Sequence, residues 1–155
     1  MIKHKEALYE IFEDARTDPG GILSGKCDAI LKSAGVNLSG DVFEFIALGD
    51  FTLEDIMTGD LKDKYVIFYQ DIICASVVKT KEEEGEVDAE EKSYEIARLV
   101  RTLLKGNRTL TSTSCPDGAA KSSSLVGTRS EAVMYSESQA HVAVITLRIK
   151  VQEED

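Results

Sequence analysis

The stretch from Asp88 to Leu110, DAEEKSYEIARLVRTLLKGNRTL, constrains the fold more than any other part of the chain. Its apolar and small residues recur at the three- to four-residue spacing of an amphipathic helix. They are Ala89, Ser93, Ile96, Ala97, Val100, Leu103 and Leu104. Asp88 is the predicted N-cap, and Gly106 is the predicted left-handed residue that ends the helix. A helix with one apolar face needs a second layer over that face, so the pattern predicts a helix packed on a small sheet.

Two shorter helices are predicted before this stretch. Residues 2–16 place their apolar side chains on one face, and Pro19-Gly20-Gly21 ends the helix. Residues 24–34 form the second predicted helix, with Gly35 as its stop. The lone His4 is expected on the surface or partly buried, and not as a ligand. Residues 1–40 are therefore predicted to be an N-terminal helical region.

Four further segments are predicted to be strands or short elements. Residues 42–48 favour a strand, with a helix as the open alternative, and residues 52–57 favour a single helical turn. Residues 65–79 are apolar at both parities, which is typical of a strand buried on both faces. A bulge, a bend or a change of neighbour is expected at Gln70-Asp71, and two strands with a tight corner are the alternative. Residues 131–135 begin a strand.

The last strand is the clearest one. Residues 141–152, HVAVITLRIKVQ, alternate apolar and polar side chains, as in a strand with one face in water. His141 lies on the same face of this strand as the buried side chains. It is predicted to be a hydrogen-bonded histidine at an edge of the sheet. The element order predicts a single α+β domain over 1–155, with a small mostly antiparallel sheet packed against the central helix. Its core is expected over 41–155.

Two polar segments are predicted to be loops. Residues 81–87 are rich in glutamate and are interpreted as a charged loop that leads into the central helix. Residues 111–130, TSTSCPDGAAKSSSLVGTRS, are rich in Ser, Thr and Gly. A loop of this length inside a compact domain is usually functional or disordered, so we predict a flexible loop here.

The composition excludes several classes of protein. A net charge of −10 and a pI near 4.7 argue against nucleic-acid binding, because phosphate neutralisation supplies most non-specific affinity. Cys27, Cys74 and Cys115 form no CxxC pair, which argues against a zinc motif or a disulfide framework, and the first two are expected to be core thiols. No apolar run is long enough to span a bilayer, and the N-terminus lacks the apolar core of a signal peptide. A cytoplasmic protein is expected.

No constellation for chemistry is visible in the sequence. The two histidines lie in distant segments, and no paired carboxylates mark a cleft. Residues 118–122, GAAKS, lack the glycine before the lysine that a phosphate-binding loop needs. We therefore predict no catalytic residue, no metal and no cofactor.

The second half of the chain resembles phage tail terminator (tail completion) proteins, with head–tail joining proteins of similar shape as neighbours. The resemblance covers residues 65–153 and lies in EIARLVRTLLKGNRTL, the Ser/Thr/Gly-rich stretch and HVAVITLRIKVQ. In that family, a helix on a small sheet is followed by an N-x-T-L-like turn, a loop and a final antiparallel strand. Asn107, Thr109 and Leu110 match the turn. Ile145, Leu147, Ile149 and Val151 match the final strand.

The resemblance implies an assembly protein without catalytic residues. It would form a homo-hexameric ring that caps the tail tube and contacts head–tail connector proteins, in the virion or the host cytoplasm and away from membranes. DNA would pass through the ring without specific binding, and an acidic lining would repel its phosphates. Candidate contacts with subunits or partners are Asn107, Arg108, Thr109, Leu125, Val126 and Arg129. Candidate lumen residues are Glu82, Glu83, Glu84 and Glu86.

Two rival interpretations belong to other classes. The first is a small α+β ligand-binding or regulatory module that dimerises through its sheet. The second is a small enzyme whose site is formed by carboxylates that converge only in the fold. A higher oligomer would favour the tail interpretation over the module, and a deep pocket with two acids would favour the enzyme.

Overall fold

The computed structural model describes residues 2–33, 43–54, 65–80, 82–135 and 140–154. Within these ranges the chain forms two helices and five strands, which confirms the predicted α+β class. The elements are α1 (Lys3–Thr17), β1 (Ala29–Leu31), β2 (Glu44–Glu54), β3 (Tyr65–Lys79), α2 (Glu84–Gly106), β4 (Ser122–Tyr135) and β5 (Ala140–Glu154).

The five strands form one mostly antiparallel sheet in the order β1-β2-β3-β5-β4. β1 runs parallel to β2, and every other neighbouring pair is antiparallel. β3 and β5 pair without interruption from Tyr65 opposite Glu154 to Lys79 opposite Ala140. The final strand of the chain is therefore central, and β1 and β4 are the two edges.

Both helices contribute to a single core with one face of the sheet. Ile72 of β3 lies directly opposite Leu147 of β5, and Cys74 lies opposite Ile145, so these side chains point to the same face. Ile96 and Val100 of α2 are buried in the same cluster. Leu8 and Phe12 of α1 and Ile46 and Leu48 of β2 complete it. The predicted packing of the central helix on the sheet is confirmed.

The bounds of the central helix differ from the prediction. α2 begins at Glu84, so most of the predicted charged loop at 81–87 is its first turn, and Asp88 lies inside the helix. The acidic residues favour this early start because they interact well with the positive end of the helix dipole. Gly106 is the last helical residue, but it is not left-handed. Positive φ angles in the described part of the chain occur at Gly25, Gly118 and Leu110.

The N-terminal region is only partly helical. α1 confirms the first predicted helix. The second predicted helix, at 24–34, was wrong, since Ala29–Leu31 form β1 and position 34 lies outside the described residues. The Asp28 carboxylate accepts the N–H groups of Phe43 and Glu44, and the N–H of Asp28 donates to the Glu44 carbonyl at 2.7 Å. This long-range pairing overrides the local helical pattern.

β2 is longer than predicted, and it carries the irregularity expected in β3. The predicted helical turn at 52–57 was wrong over Thr52–Glu54, which continue the strand, and residues 55–57 lie outside the described ranges. β3 is one continuous strand through Gln70-Asp71. The register shift lies opposite, between Leu48 and Phe51. The prediction placed a bulge at this point along the strands, but in β3. The structure has the extra residue in β2, the neighbouring strand.

The predicted flexible loop at 111–130 is much shorter in the structure. Ser122–Ser130 belong to β4, which continues through the predicted strand at 131–135. The side chains from Ser122 to Ala132 are exposed, apart from buried Ser123 and half-buried Gly127. A strand whose two faces are both exposed to solvent does not alternate apolar and polar residues. Its sequence therefore has the polar composition of a loop.

Candidate assembly surface

The outer edge of β4 is the largest open feature of the sheet. β4 has 14 residues and pairs on one side with β5; no described strand pairs with its other side. Two of its exposed side chains are apolar, Leu125 at 36% and Val126 at 49% exposure. A long edge strand with free backbone N–H and C=O groups is a template for association with another chain. This edge is therefore a candidate contact surface.

The opposite edge is short and held in place. β1 has three residues, and Ile30 at its centre is buried in the core. Asp28 fixes the start of the β1–β2 pair through its carboxylate. Burial raises the pKa of this carboxyl, but the N–H groups of Glu44 and Phe43 outweigh that effect and hold the pKa below its usual value. Very short edge strands are a common protection against edge-to-edge association.

A groove runs beside β4 on the helix face of the sheet. This α2–β4 groove has a volume of about 270 Å³. It is lined by Arg101, Leu104, Lys105, Arg108, Ser123, Ser124, Leu125 and Ile149. The structure thus brings together Arg108 and Leu125, two of the predicted contacts, which are far apart in sequence. Cationic side chains surround apolar ones, so the groove suits an acidic segment with an apolar residue.

Asn107 and Thr109 are engaged within the turn that follows α2. The Asn107 side-chain amide donates to the Thr111 carbonyl at 2.8 Å, and its oxygen accepts the Thr111 N–H at 2.9 Å. The carbonyl of Thr109 accepts the N–H of Ala120 at 3.0 Å. These bonds explain the two residues as parts of the turn, and neither lines the groove. Their role in partner contacts remains a prediction.

The other two predicted contacts lie on β4 outside the groove. Val126 occupies the irregularity between Leu125 and Gly127, where the register with β5 shifts. Arg129 lies opposite Thr146, on the sheet face away from the helices, and forms an exposed ion pair with Glu131 at 3.4 Å. Leu125 points to the helix face, opposite Ile149. The candidates on β4 therefore flank the edge on both faces of the sheet.

The four predicted lumen residues gather at the start of α2. Glu82, Glu83, Glu84 and Glu86 are all exposed. The groove begins at Arg101, so a helical rise of about 1.5 Å per residue places Glu84 roughly 26 Å from it along the axis. The structure does not bring the acidic turn and the groove of one chain together. α2 thus has an acidic start and a basic end.

His4 lies in a buried polar network, contrary to the prediction of a surface or partly buried residue. Its exposure is 0%. Its Nδ1 lies 3.0 Å from a Glu153 carboxylate oxygen, and its Nε2 lies 3.0 Å from Gln70 Oε1. The amide nitrogen of Gln70 donates to the carbonyls of Gly49 and Asp71, which leaves its oxygen to face the ring. Both ring nitrogens of His4 therefore lie within hydrogen-bond distance of a side-chain oxygen.

His141 is buried, and it departs from the predicted edge histidine in its position and at one ring nitrogen. It lies in β5 between Val78 of β3 and Met134 of β4, and so not at an edge. Its Nε2 has no hydrogen-bond partner among the described residues. Its ring packs under Gly85, where an added Cβ would lie 2.7 Å from the ring carbon Cδ2. The glycine within the acidic run was the one signal in the sequence for this close approach.

The three cysteines are free and buried. Burial raises the pKa of the Cys27 thiol to about 11, and burial raises the pKa of the Cys74 thiol further. Their prediction as core thiols is confirmed. In the described ranges, no group of three or more His, Cys, Asp or Glu side chains is placed to hold a metal ion. No helix in the same part of the chain has the length and apolar character needed to cross a membrane.

Comparisons with known proteins add little to this geometry. No protein-family model matches the chain. No curated protein matches it either. Among solved structures, it is similar to a chain of the "Virion of native gene transfer agent (GTA) particle", with a TM-score of 0.46 and 12% identity, over 94% of this chain and 93% of that chain. A likeness of this size does not establish a shared function.

Proposed function

We propose that this chain is a structural, ring-forming component of phage or prophage tail assembly, of the tail terminator or head–tail joining class. Its partners are further copies of itself in a homo-hexameric ring, the tail tube and the head–tail connector. It acts in the virion or the host cytoplasm. The role needs no catalytic residue, metal or cofactor.

The observation that carries the proposal is the open edge of β4. A closed ring requires each subunit to present two different, complementary surfaces. The edge strand and the α2–β4 groove beside it form one continuous candidate for such a surface. Leu125 contributes to both, and Val126 adds an exposed apolar side chain at the edge. β4 would be an aggregation risk in an isolated monomer, and a ring removes that risk by covering it.

The sequence resemblance supports the same class. α2 is followed by the Asn107–Leu110 turn, and the chain ends in the antiparallel strand β5, as the resemblance implies. β4 occupies much of the segment that the resemblance gives as a loop. The net charge of −10 suits a ring that DNA must pass without being held. We propose that acidic side chains facing the lumen contribute to this repulsion, with exposed Glu82 among them.

The size of the protein in solution tests the proposal. We expect light scattering after size-exclusion chromatography to give one closed stoichiometry above a dimer, and electron microscopy to show rings. V126K should dissociate them, because a lysine at an edge strand opposes pairing. The matched control is L53K, since Leu53 of β2 is 54% exposed but lies away from β4. A fixed dimer would favour the ligand-binding module, and a monomer at every concentration would refute the ring.

A further inference from the structure

The α2–β4 groove has the chemistry of a receptor for an acidic segment. Arg101, Lys105 and Arg108 supply three cations, and Leu104, Leu125 and Ile149 supply apolar surface between them. None of the three cations has an ion pair with another described residue. The groove therefore carries uncompensated positive charge on a chain whose net charge is −10.

The same chain carries a segment that fits this groove. Glu83, Glu84 and Glu86 are exposed at the start of α2 and have no ion pair within the described residues. Val87 follows them and is 52% exposed, so this turn also presents an apolar side chain. The segment thus offers three negative charges, which are complementary to the three cations of the groove, and one apolar side chain, which suits the apolar surface between those cations.

The acidic turn of a chain cannot reach the α2–β4 groove of the same chain. About 26 Å of rigid helix separates Glu84 from Arg101, and the Debye length is about 8–10 Å at physiological salt. The start of α2 packs over His141, and its end lies over Ser123 and Ile149, so the two sites occupy opposite ends of the sheet. Complementary sites at opposite ends of one rigid body produce head-to-tail contacts.

We infer that the α2–β4 groove of one copy binds the acidic first turn of α2 from a second copy, and that this contact repeats around the assembly. The inference rests on the proposed ring and identifies the two complementary surfaces that the ring needs. Arg101, Lys105 and Arg108 receive Glu83, Glu84 and Glu86 of the neighbour, while Val87 of the neighbour meets the apolar floor. The contact is heterologous, so it does not produce a closed dimer.

Charge reversal on each surface tests the contact. The groove variant is R101E/R108E, and the turn variant is E83K/E84K; sedimentation velocity over a dilution series measures the concentration at which each assembly dissociates. We expect that concentration to rise at least about tenfold for each variant alone. An equimolar mixture should return it to within a few-fold of the wild-type value, because each variant's groove then meets an opposite charge on the other variant's turn. High salt should weaken the wild-type assembly.

Matched controls separate this contact from general charge effects. R98E changes the same helix by the same charge three residues from Arg101, outside the groove lining, and should assemble as the wild type while R101E does not. Circular dichroism shows whether each variant folds, and R101Q/R108Q provides a milder substitution. Groove and turn variants that assemble like the wild type, or a mixture that stays dissociated, would overturn the inference while leaving the ring intact. A monomeric wild type would overturn both.

Discussion

The two edges of the sheet differ in length and in how far their side chains are buried. β1 has three residues, its central side chain is buried, and Asp28 fixes it to β2 through backbone N–H groups. β4 has 14 residues, and its side chains from Ser122 to Ala132 are mostly exposed. The first edge is sealed by its own chain, whereas the second is open among the described residues. The contrast shows that this fold protects one edge internally and leaves the other open among the described residues.

The largest effect on the free energy of unfolding is expected where α1 packs against the sheet. H4L keeps an apolar side chain in the core but removes both ring nitrogens, so Gln70 and Glu153 each lose a hydrogen-bond partner at 3.0 Å. Leaving buried acceptors unpaired costs about 2–4 kcal/mol in the free energy of unfolding, as urea titration would measure. If H4L matched the wild type, the buried network would contribute nothing to the packing of α1 on the central strands β3 and β5.

E153Q is the matched control for that prediction. It retains a side-chain oxygen that can accept from His4 Nδ1 but removes the negative charge. We expect a smaller loss than for H4L, because one hydrogen bond is kept in neutral form. Neither variant should alter assembly through β4 at temperatures well below its unfolding. A larger loss for E153Q would show that the charge, and not the hydrogen bonding, holds α1 in place.

A smaller effect is expected at the β1 edge itself. D28N weakens the two hydrogen bonds that start the β1–β2 pair and should cost about 1 kcal/mol at neutral pH, as thermal unfolding would measure. The pKa of Asp28 is lowered in the folded protein, so its stabilisation is present above the ordinary pKa of 3.8 and is lost as the pH falls through the folded value. The difference between D28N and the wild type should therefore shrink toward pH 3.

D50N gives the comparison for D28N. Asp50 is exposed on β2, beyond the segment that pairs with β1, and its side chain has no hydrogen bond or ion pair with another described residue. Its substitution should leave the unfolding free energy unchanged at both pH values. An equal loss in D50N and D28N would mean that lower negative charge, and not the lost hydrogen bonds, explains the change.

The elements with a strong apolar period were predictable from the sequence. α2 has its stripe from Ala89 to Leu104, and β5 alternates from His141 to Gln152, so each was assigned to the right structure and packed on the other. The first turn of α2 was missed because Glu84, Gly85 and Glu86 have the composition of a solvated loop. In this turn Gly85 packs over the ring of His141, and a contact between such distant residues cannot be read from the local sequence pattern.

The two edges were the least predictable parts of the fold. β1 is too short to show a period, and Asp28 finds its partners Phe43 and Glu44 about fifteen residues later in the chain. β4 is exposed on both faces, so its Ser- and Thr-rich sequence is typical of a loop. His4 meets Glu153 at the far end of the chain. Contacts across such separations depend on the sheet order, which local sequence patterns do not specify.

The residues that line the groove were only partly anticipated from the sequence. Arg108, Leu125 and Val126 were proposed from the resemblance, and the structure places all three beside the open edge or in the adjoining groove. Arg101 and Lys105 were not singled out, because cations are generally favoured near a helix C-terminus and needed no other explanation. Only the position of β4 next to the end of α2 gives these cations a groove to line.

Amide hydrogen exchange tests the central claim that copies associate through the open edge. The measurement compares the wild-type assembly with monomeric V126K, residue range by residue range. We predict slower exchange in the assembly across residues 122–132, because association covers the free N–H groups of β4, and equal exchange in both forms across β1. Equal exchange across β4, or protection confined to β1, would contradict the account.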